Sequence, residues 1–243
     1  MRVRIDLDYI GTAYAGWQVQ PGQTTVQGAV ERALAEMTGV PTAVCASGRT
    51  DAGVHALCQT AHFDTDKPWE PSAFVGGLNV RLPRDIRILR AQAVADDFHA
   101  RYSAIDKTYE YRLYRSDVDR AVYYGRAARL SPDADIAAMR AAAKHFVGTH
   151  DFASFCAANA DTKTTVRTVT RADVTERDDL VVFTVTADGF LYNMVRIMTG
   201  LLVRLRAGGD PAEVARVLAA CDRTAAPDTA PACGLYLKSV RYK

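Results

Sequence analysis

Two apolar periodicities alternate along the first part of this chain, and their order leaves few folds open. Val3, Ile5 and Leu7 alternate with charged residues, the period of a half-buried strand. After a loop from Gly11 to Gly22, Val26, Val30, Ala33, Leu34 and Met37 recur at helical spacing. Thr24 or Thr25 can cap the start of that helix, and Gly39 with Pro41 ends it. Strand patterns follow at Thr42–Ser47 and Leu57–Phe63, then a second helix over Pro71–Val80 and a strand over Ile86–Val94. The resulting order, β-α-β-β-α-β, is that of a split βαβ unit, in which helices cover one face of an antiparallel sheet.

A related order recurs beyond Ser103. Tyr109, Tyr111 and Leu113 alternate in a strand, and Ile136, Met139, Ala143 and Phe146 share a helix face opened by Asp133 or Asp135. Thr164–Thr175 and Leu180–Thr186 are rich in β-branched residues and read as strands. Helices are expected over Phe190–Arg206 and Pro211–Ala220, and a closing strand over Leu235–Val240. The expected fold class is α+β, as two related halves covering residues 1–103 and 104–243.

The chain has 243 residues, 49% of them hydrophobic, enough for one sizeable core or two small ones. A net charge of +2 permits a nucleic-acid partner only if basic residues gather on one face. The five cysteines, Cys45, Cys58, Cys156, Cys221 and Cys233, include no C-x-x-C pair. They are expected as free thiols, without a disulfide framework or zinc ribbon. Charges interrupt the apolar residues of MRVRIDLDYIGT, unlike a signal peptide. The apolar stretch Phe190–Leu205 carries Asn193, Arg196 and Arg204 and is too short and polar to span a bilayer. A cytoplasmic protein with no membrane association is expected.

The stretch with most chemical content is GRTDAGVHA, residues 48–56. It sets Arg49, Thr50, Asp51 and His55 among glycines and small residues, which let the backbone turn and a ligand approach. A neighbouring cation favours the ionised carboxylate, and an ionised, positioned Asp can act as a covalent nucleophile. The plainer alternative is a turn whose Asp bonds only the backbone. In GTAYAGWQVQ, residues 11–20, Tyr14, Trp17 and two glutamines suit contacts to bases, or else Trp17 plugs a core. Residues 98–115, FHARYSA then KTYEYRLYR with Ile105 and Asp106 between them, interleave basic and aromatic side chains. There Tyr109, Tyr111 and Leu113 face one way and Glu110, Arg112 and Tyr114 the other, and one of the two faces is expected to be core. Arg196, in an apolar helix, needs a carboxylate such as Asp51, a phosphate, or a path to solvent. His145 and His150 lack the spacing of a metal pair and read as a helix end and turn. Asp6 and Asp8 resemble a phosphatase D-x-D loop, but lack a second acidic pair and are expected on the solvent face of the first strand.

Together these motifs closely resemble the tRNA pseudouridine synthase A family over nearly the whole chain. The resemblance rests on GWQVQ with TTVQ at 16–27, GRTDAGVHA at 48–56, FHARYSA at 98–104 and KTYEYRL at 107–113. GTHDFASF at 148–155, GFLYNMVRIMTG at 189–200 and GLYLKSVRY at 234–242 add to it. DYIG at 8–11 departs from the family's commoner Tyr-Asp-Gly, and Val118–Ser131 carries no family motif. The resemblance implies isomerisation of uridine to pseudouridine in the anticodon stem-loop of tRNA. It implies two split-βαβ (RNP-like) halves with antiparallel sheets flanking a central basic catalytic cleft, a homodimer, and no metal or other cofactor. Asp51 matches the nucleophile, attacking either the sugar or the uracil. Tyr109 matches the tyrosine packed on the target base. Arg196 matches the partner of the catalytic Asp, and Arg49 a residue assisting extrusion of the nucleotide. His55 is implied as a substrate-binding residue or a shaper of the loop.

Overall fold

The computed structural model describes residues 1–158 and 162–243. The chain is mixed α and β, with mostly antiparallel strand pairings. It divides into two units, Met1–Ile105 with Leu237–Lys243, and Asp106–Tyr236.

In the first unit, strand β1 (Arg2–Tyr9) lies between β3 (His55–Asp64) and β4 (Ile86–Val94), antiparallel to both. The expected strand over 42–47 is reduced to β2, Cys45–Ala46, on the edge of β3. Helix α1 (Val26–Thr38) turns Val26, Ala29, Val30, Ala33 and Leu34 inward. Of the two candidate caps Thr25 is used, its hydroxyl accepting from the Gly28 N–H at 3.2 Å. Gly39, at φ 77°, ends the helix in the left-handed region. Helix α2 (Ala73–Asn79) is shorter than the expected 71–80, and its Phe74 meets Phe63 of β3 edge-on at 5.2 Å. The chain's last residues return to this unit. Leu237 is fully buried, and Tyr242 donates to the Ala100 carbonyl at 2.6 Å while Arg4 covers its ring at 4.6 Å.

In the second unit, β5 (Ala104–Arg115) pairs with β9 (Leu180–Ala187), β9 with β8 (Val166–Arg177), and β8 with β7 (Gly148–Asp151), all antiparallel. A short β6 (Ala128–Leu130) runs parallel to β5. Helix α3 (Ile136–Ala143) is capped by Asp135, which accepts from the Ala138 N–H. Phe146 lies past its end, packed on Phe155 and Phe183. Helices α4 (Met194–Leu202) and α5 (Glu213–Ala220) complete the unit.

Several expectations need correction. Asp6 is not on a solvent face: it is 8% exposed, accepts from the Thr60 hydroxyl at 2.7 Å and pairs with Arg4. Asp8 is half-buried. A buried carboxylate is tolerated because its oxygens are bonded, which an alternation pattern cannot register. The strand carrying Tyr109 is covered on both sides, since Glu110 and Tyr114 are as buried as Tyr109, Tyr111 and Leu113. The helix expected from Phe190 starts only at Met194, because Asn193 adopts a left-handed conformation at φ 61° that breaks helical continuity. His145 follows helix α3, but His150 sits in strand β7. Among the described residues, no helix is long and apolar enough to cross a membrane.

Candidate active site

The GRTDAGVHA segment joins β2 to β3 in the first unit, and its backbone is held at nearly every residue. Gln59, on β3 and fully buried, accepts from the Ser47 hydroxyl at 2.5 Å and donates to the Gly48 carbonyl at 2.9 Å. Thr50 is bonded twice: its hydroxyl lies 2.8 Å from the Tyr9 hydroxyl, and its carbonyl accepts from the Trp17 N–H at 3.0 Å. The Gly53 N–H donates to the Tyr14 carbonyl and the Val54 N–H to the Asp51 carbonyl. His55 is fully buried, its Nδ1 accepting from the Gly11 N–H at 2.9 Å. Each of these groups would be costly to bury unpaired, so together they fix one loop conformation.

The neighbouring 11–17 segment explains its own sequence through this loop. A Cβ on Gly11 would stand 1.9 Å from the Val54 carbonyl oxygen, and one on Gly16 would stand 2.6 Å from that of Thr50. Glycine is therefore needed at both places for close backbone approach. Trp17 and Tyr14 are 2% and 7% exposed, and Tyr14 donates to Asp85 at 2.6 Å. Of the two possibilities for this segment, Trp17 is the core plug, and its ring packs 6.0 Å from Tyr9. Burial holds the Tyr9 phenol well above its ordinary pKa, so it stays protonated as a hydrogen-bonding group.

The outcome is a half-buried Asp51 on a rigid loop, with exposed Arg49 two residues before it. A carboxylate presented this way can act as nucleophile or base, since loop entropy has already been lost in folding.

The second unit holds the other residues singled out from sequence. Tyr109, on β5, is 8% exposed and meets the Phe190 ring edge-on at 5.0 Å. Arg196, in the first turn of α4, is half-buried and donates through Nε to the Ala230 carbonyl and through Nη1 to Asn193 Oδ1, both at 2.8 Å. These bonds orient the guanidinium rather than letting it wander to solvent on its long stem. Sequence reasoning missed Tyr9, Gln59 and Asn193. Gln59 had a signal, as a polar side chain in an apolar run paired with Leu7. Asn193 had another, as a residue tolerant of positive φ just before a helical pattern.

Cys45, His62 and His99 bring potential ligand atoms within 4.8 Å of one another in the first unit. Both imidazoles, however, accept backbone N–H groups at Nδ1: His62 from Ala100, and His99 from Arg101 and Tyr102. Each therefore carries its proton on Nε2, the reverse of what ligation through Nε2 requires. Burial, then His99 and Arg2, lower the His62 pKa, and burial raises that of the Cys45 thiol. Cys45 Sγ lies 3.6 Å from His99 Nε2, and the His99 ring meets that of His62 edge-on.

A family model described as tRNA pseudouridine synthase matches residues 7–103 and 142–243, a span that includes Asp51 and Arg196 but not Tyr109. The tRNA pseudouridine synthase A of Shouchella clausii is 45% identical over 243 residues, covering 99% of this chain and 93% of the relative. That of Chromobacterium violaceum is 43% identical, covering 100% and 93%. That of Syntrophotalea carbinolica is 45% identical, covering 99% and 96%. Matches of this extent, with the GRTDAGVHA loop inside them, make the chain a member of the tRNA pseudouridine synthase A family, a family of isomerases.

Proposed function

We propose that this chain isomerises uridine to pseudouridine in the anticodon stem-loop of tRNA, with Asp51 as the nucleophile. The observation that carries the reading is the loop itself: buried Tyr9, Ser47 and Gln59 and a set of backbone bonds fix its conformation, and Asp51 on it is half-buried. The reaction breaks the bond between N1 of uracil and C1′ of the ribose and forms one between C5 and C1′. The C5 proton is lost and N1 gains one, so atoms balance without a co-reactant. Attack by the Asp51 carboxylate on either the sugar or the ring starts the sequence.

The target base must leave its stack, at a cost on the order of a few kcal/mol. Arg49, exposed beside the nucleophile, is assigned to hold the extruded strand, and Tyr109 to pack on the base. Arg196 is the cation that this reading pairs with the Asp51 carboxylate. His55 acts through the loop, since its ring is buried against Gly11. The same proposal includes two related split-βαβ halves, a homodimer, a cytoplasmic setting, and independence of metal and cofactor.

The test is pseudouridine mapping on an unmodified tRNA transcript in EDTA, with wild type and Asp51→Asn. Product at anticodon-stem uridines is expected from wild type alone, with transcript binding by the variant within about twofold, because phosphate contacts survive the change. Product from Asp51→Asn would remove the nucleophile assignment. A folded wild type that binds but does not convert the transcript would leave an RNA-binding protein instead.

A further inference from the structure

The 98–103 turn of the first unit contains an aromatic side chain that neither the core nor the reaction uses. Tyr102 is 77% exposed, against 8% or less for Tyr109, Tyr111 and Tyr114 nearby in sequence. It is not loosely placed. Its ring lies 4.3 Å from that of His99 at an interplanar angle of 32°, and His99 in turn meets His62 at 4.9 Å. The three rings form a column of contacts from buried His62 to the surface, edge-on between His62 and His99 and tilted between His99 and Tyr102.

The turn beneath the column is fixed. His99 Nδ1 accepts from the Arg101 and Tyr102 N–H groups, and the Ser103 hydroxyl accepts from the His99 N–H at 3.0 Å. The Ala100 N–H donates to His62, and its carbonyl accepts from Tyr242. The Arg101 guanidinium stands 5.7 Å from the Tyr102 ring centre. An exposed ring on a rigid mount, with a cation at its side, is the arrangement that receives an unstacked nucleobase and its phosphate.

We propose that Tyr102 is a stacking platform for an unpaired base of the RNA substrate, with Arg101 taking an adjoining phosphate. The site lies apart in sequence from the Asp51 loop, and it rests on the reading of this chain as an RNA-modifying enzyme. It sets affinity rather than chemistry. The column extends by one ring when RNA binds, and its order is already present in the free protein, so little entropy is lost on binding.

The experiment measures Kd, KM and kcat on a tRNA transcript for Tyr102→Ala, Tyr102→Phe, Tyr102→Trp and Arg101→Gln, with a melting curve for each. Tyr102→Ala is expected to weaken binding by about fivefold or more, the range of one lost base stack, with kcat unchanged. Tyr102→Phe keeps the ring and binds as wild type, and Tyr102→Trp binds at least as tightly. Arg101→Gln lowers the salt dependence of binding by about one unit of slope, whereas Tyr102→Ala leaves the slope unaltered. Unchanged Kd and KM in Tyr102→Ala overturn the proposal. So does a joint fall of kcat and melting temperature with weak binding in the Phe variant, which would make the residue structural. Failure of the enzymatic reading is distinct: wild type would then yield no pseudouridine whatever Tyr102 does to binding.

Discussion

At the scale of single residues, Asn193 shows how a helix start is turned to another use. An Asn before a helix ordinarily caps it, accepting from an N–H of the first turn. Here no side-chain cap forms; the backbone takes φ 61° and the amide oxygen accepts from Arg196 Nη1. The left-handed conformation costs about 1–2 kcal/mol for a residue with a Cβ, less for Asn, and nothing for Gly. Asn193→Gly is therefore expected to be more stable than Asn193→Ala by about 1–2 kcal/mol, the relief of the left-handed strain offsetting part of the lost bond. Both lose one bond to a charged group and are expected to lower kcat about tenfold through a less well aimed Arg196. Equal turnover in wild type and Asn193→Gly would show that the amide has no part in positioning the guanidinium.

At the scale of elements, α1 is the clearest case of a helix specified by its own sequence. Its ends are set by Thr25 and Gly39 and its inner face by Val26, Ala29, Val30, Ala33 and Leu34. The Thr25 hydroxyl is buried and bonds the Gly28 N–H. Thr25→Ala leaves that donor unpaired and is expected to destabilise by about 1 kcal/mol, whereas Thr25→Ser restores most of the loss. Urea denaturation followed by circular dichroism separates the two; equal midpoints for Ala and Ser would mean that burial of the threonine methyl, not capping, matters. Helix α4 behaves differently. Its apolar stretch begins at Phe190, but four residues pass before the helix starts, since Asn193 is committed to Arg196.

At the scale of the whole molecule, buried phenols link stability to alkaline pH. Burial is the main cause that raises Tyr9, Tyr14 and Tyr111 above the ordinary value of 10.0, with Asp85 adding at Tyr14, and burial pushes Tyr242 up to about 12. A group whose folded pKa is raised contributes fully below its unfolded pKa and loses that contribution as pH rises through the folded value. Stability to urea is thus expected to hold up to about pH 9 and to fall between about pH 10 and 12. A flat profile across that window would mean that these hydroxyls ionise as freely folded as unfolded.

The sequence by itself determined the α+β class, the identity of α1 and its end at Gly39, the strands of alternating Val, Ile and Leu, and the family through its motifs. These are local: a period, a cap or a motif is read within a few residues. Only the tertiary structure decided that Asp6 is buried against Thr60, that Gln59 and Tyr9 hold the Asp51 loop, and that Tyr102 is exposed where Tyr109, Tyr111 and Tyr114 are buried. The first two depend on partners distant in the chain, Tyr9 and Thr50 being separated by 41 residues. Whether a polar side chain is buried and satisfied or exposed and available is a property of the packed pair, and no single position in the sequence carries it.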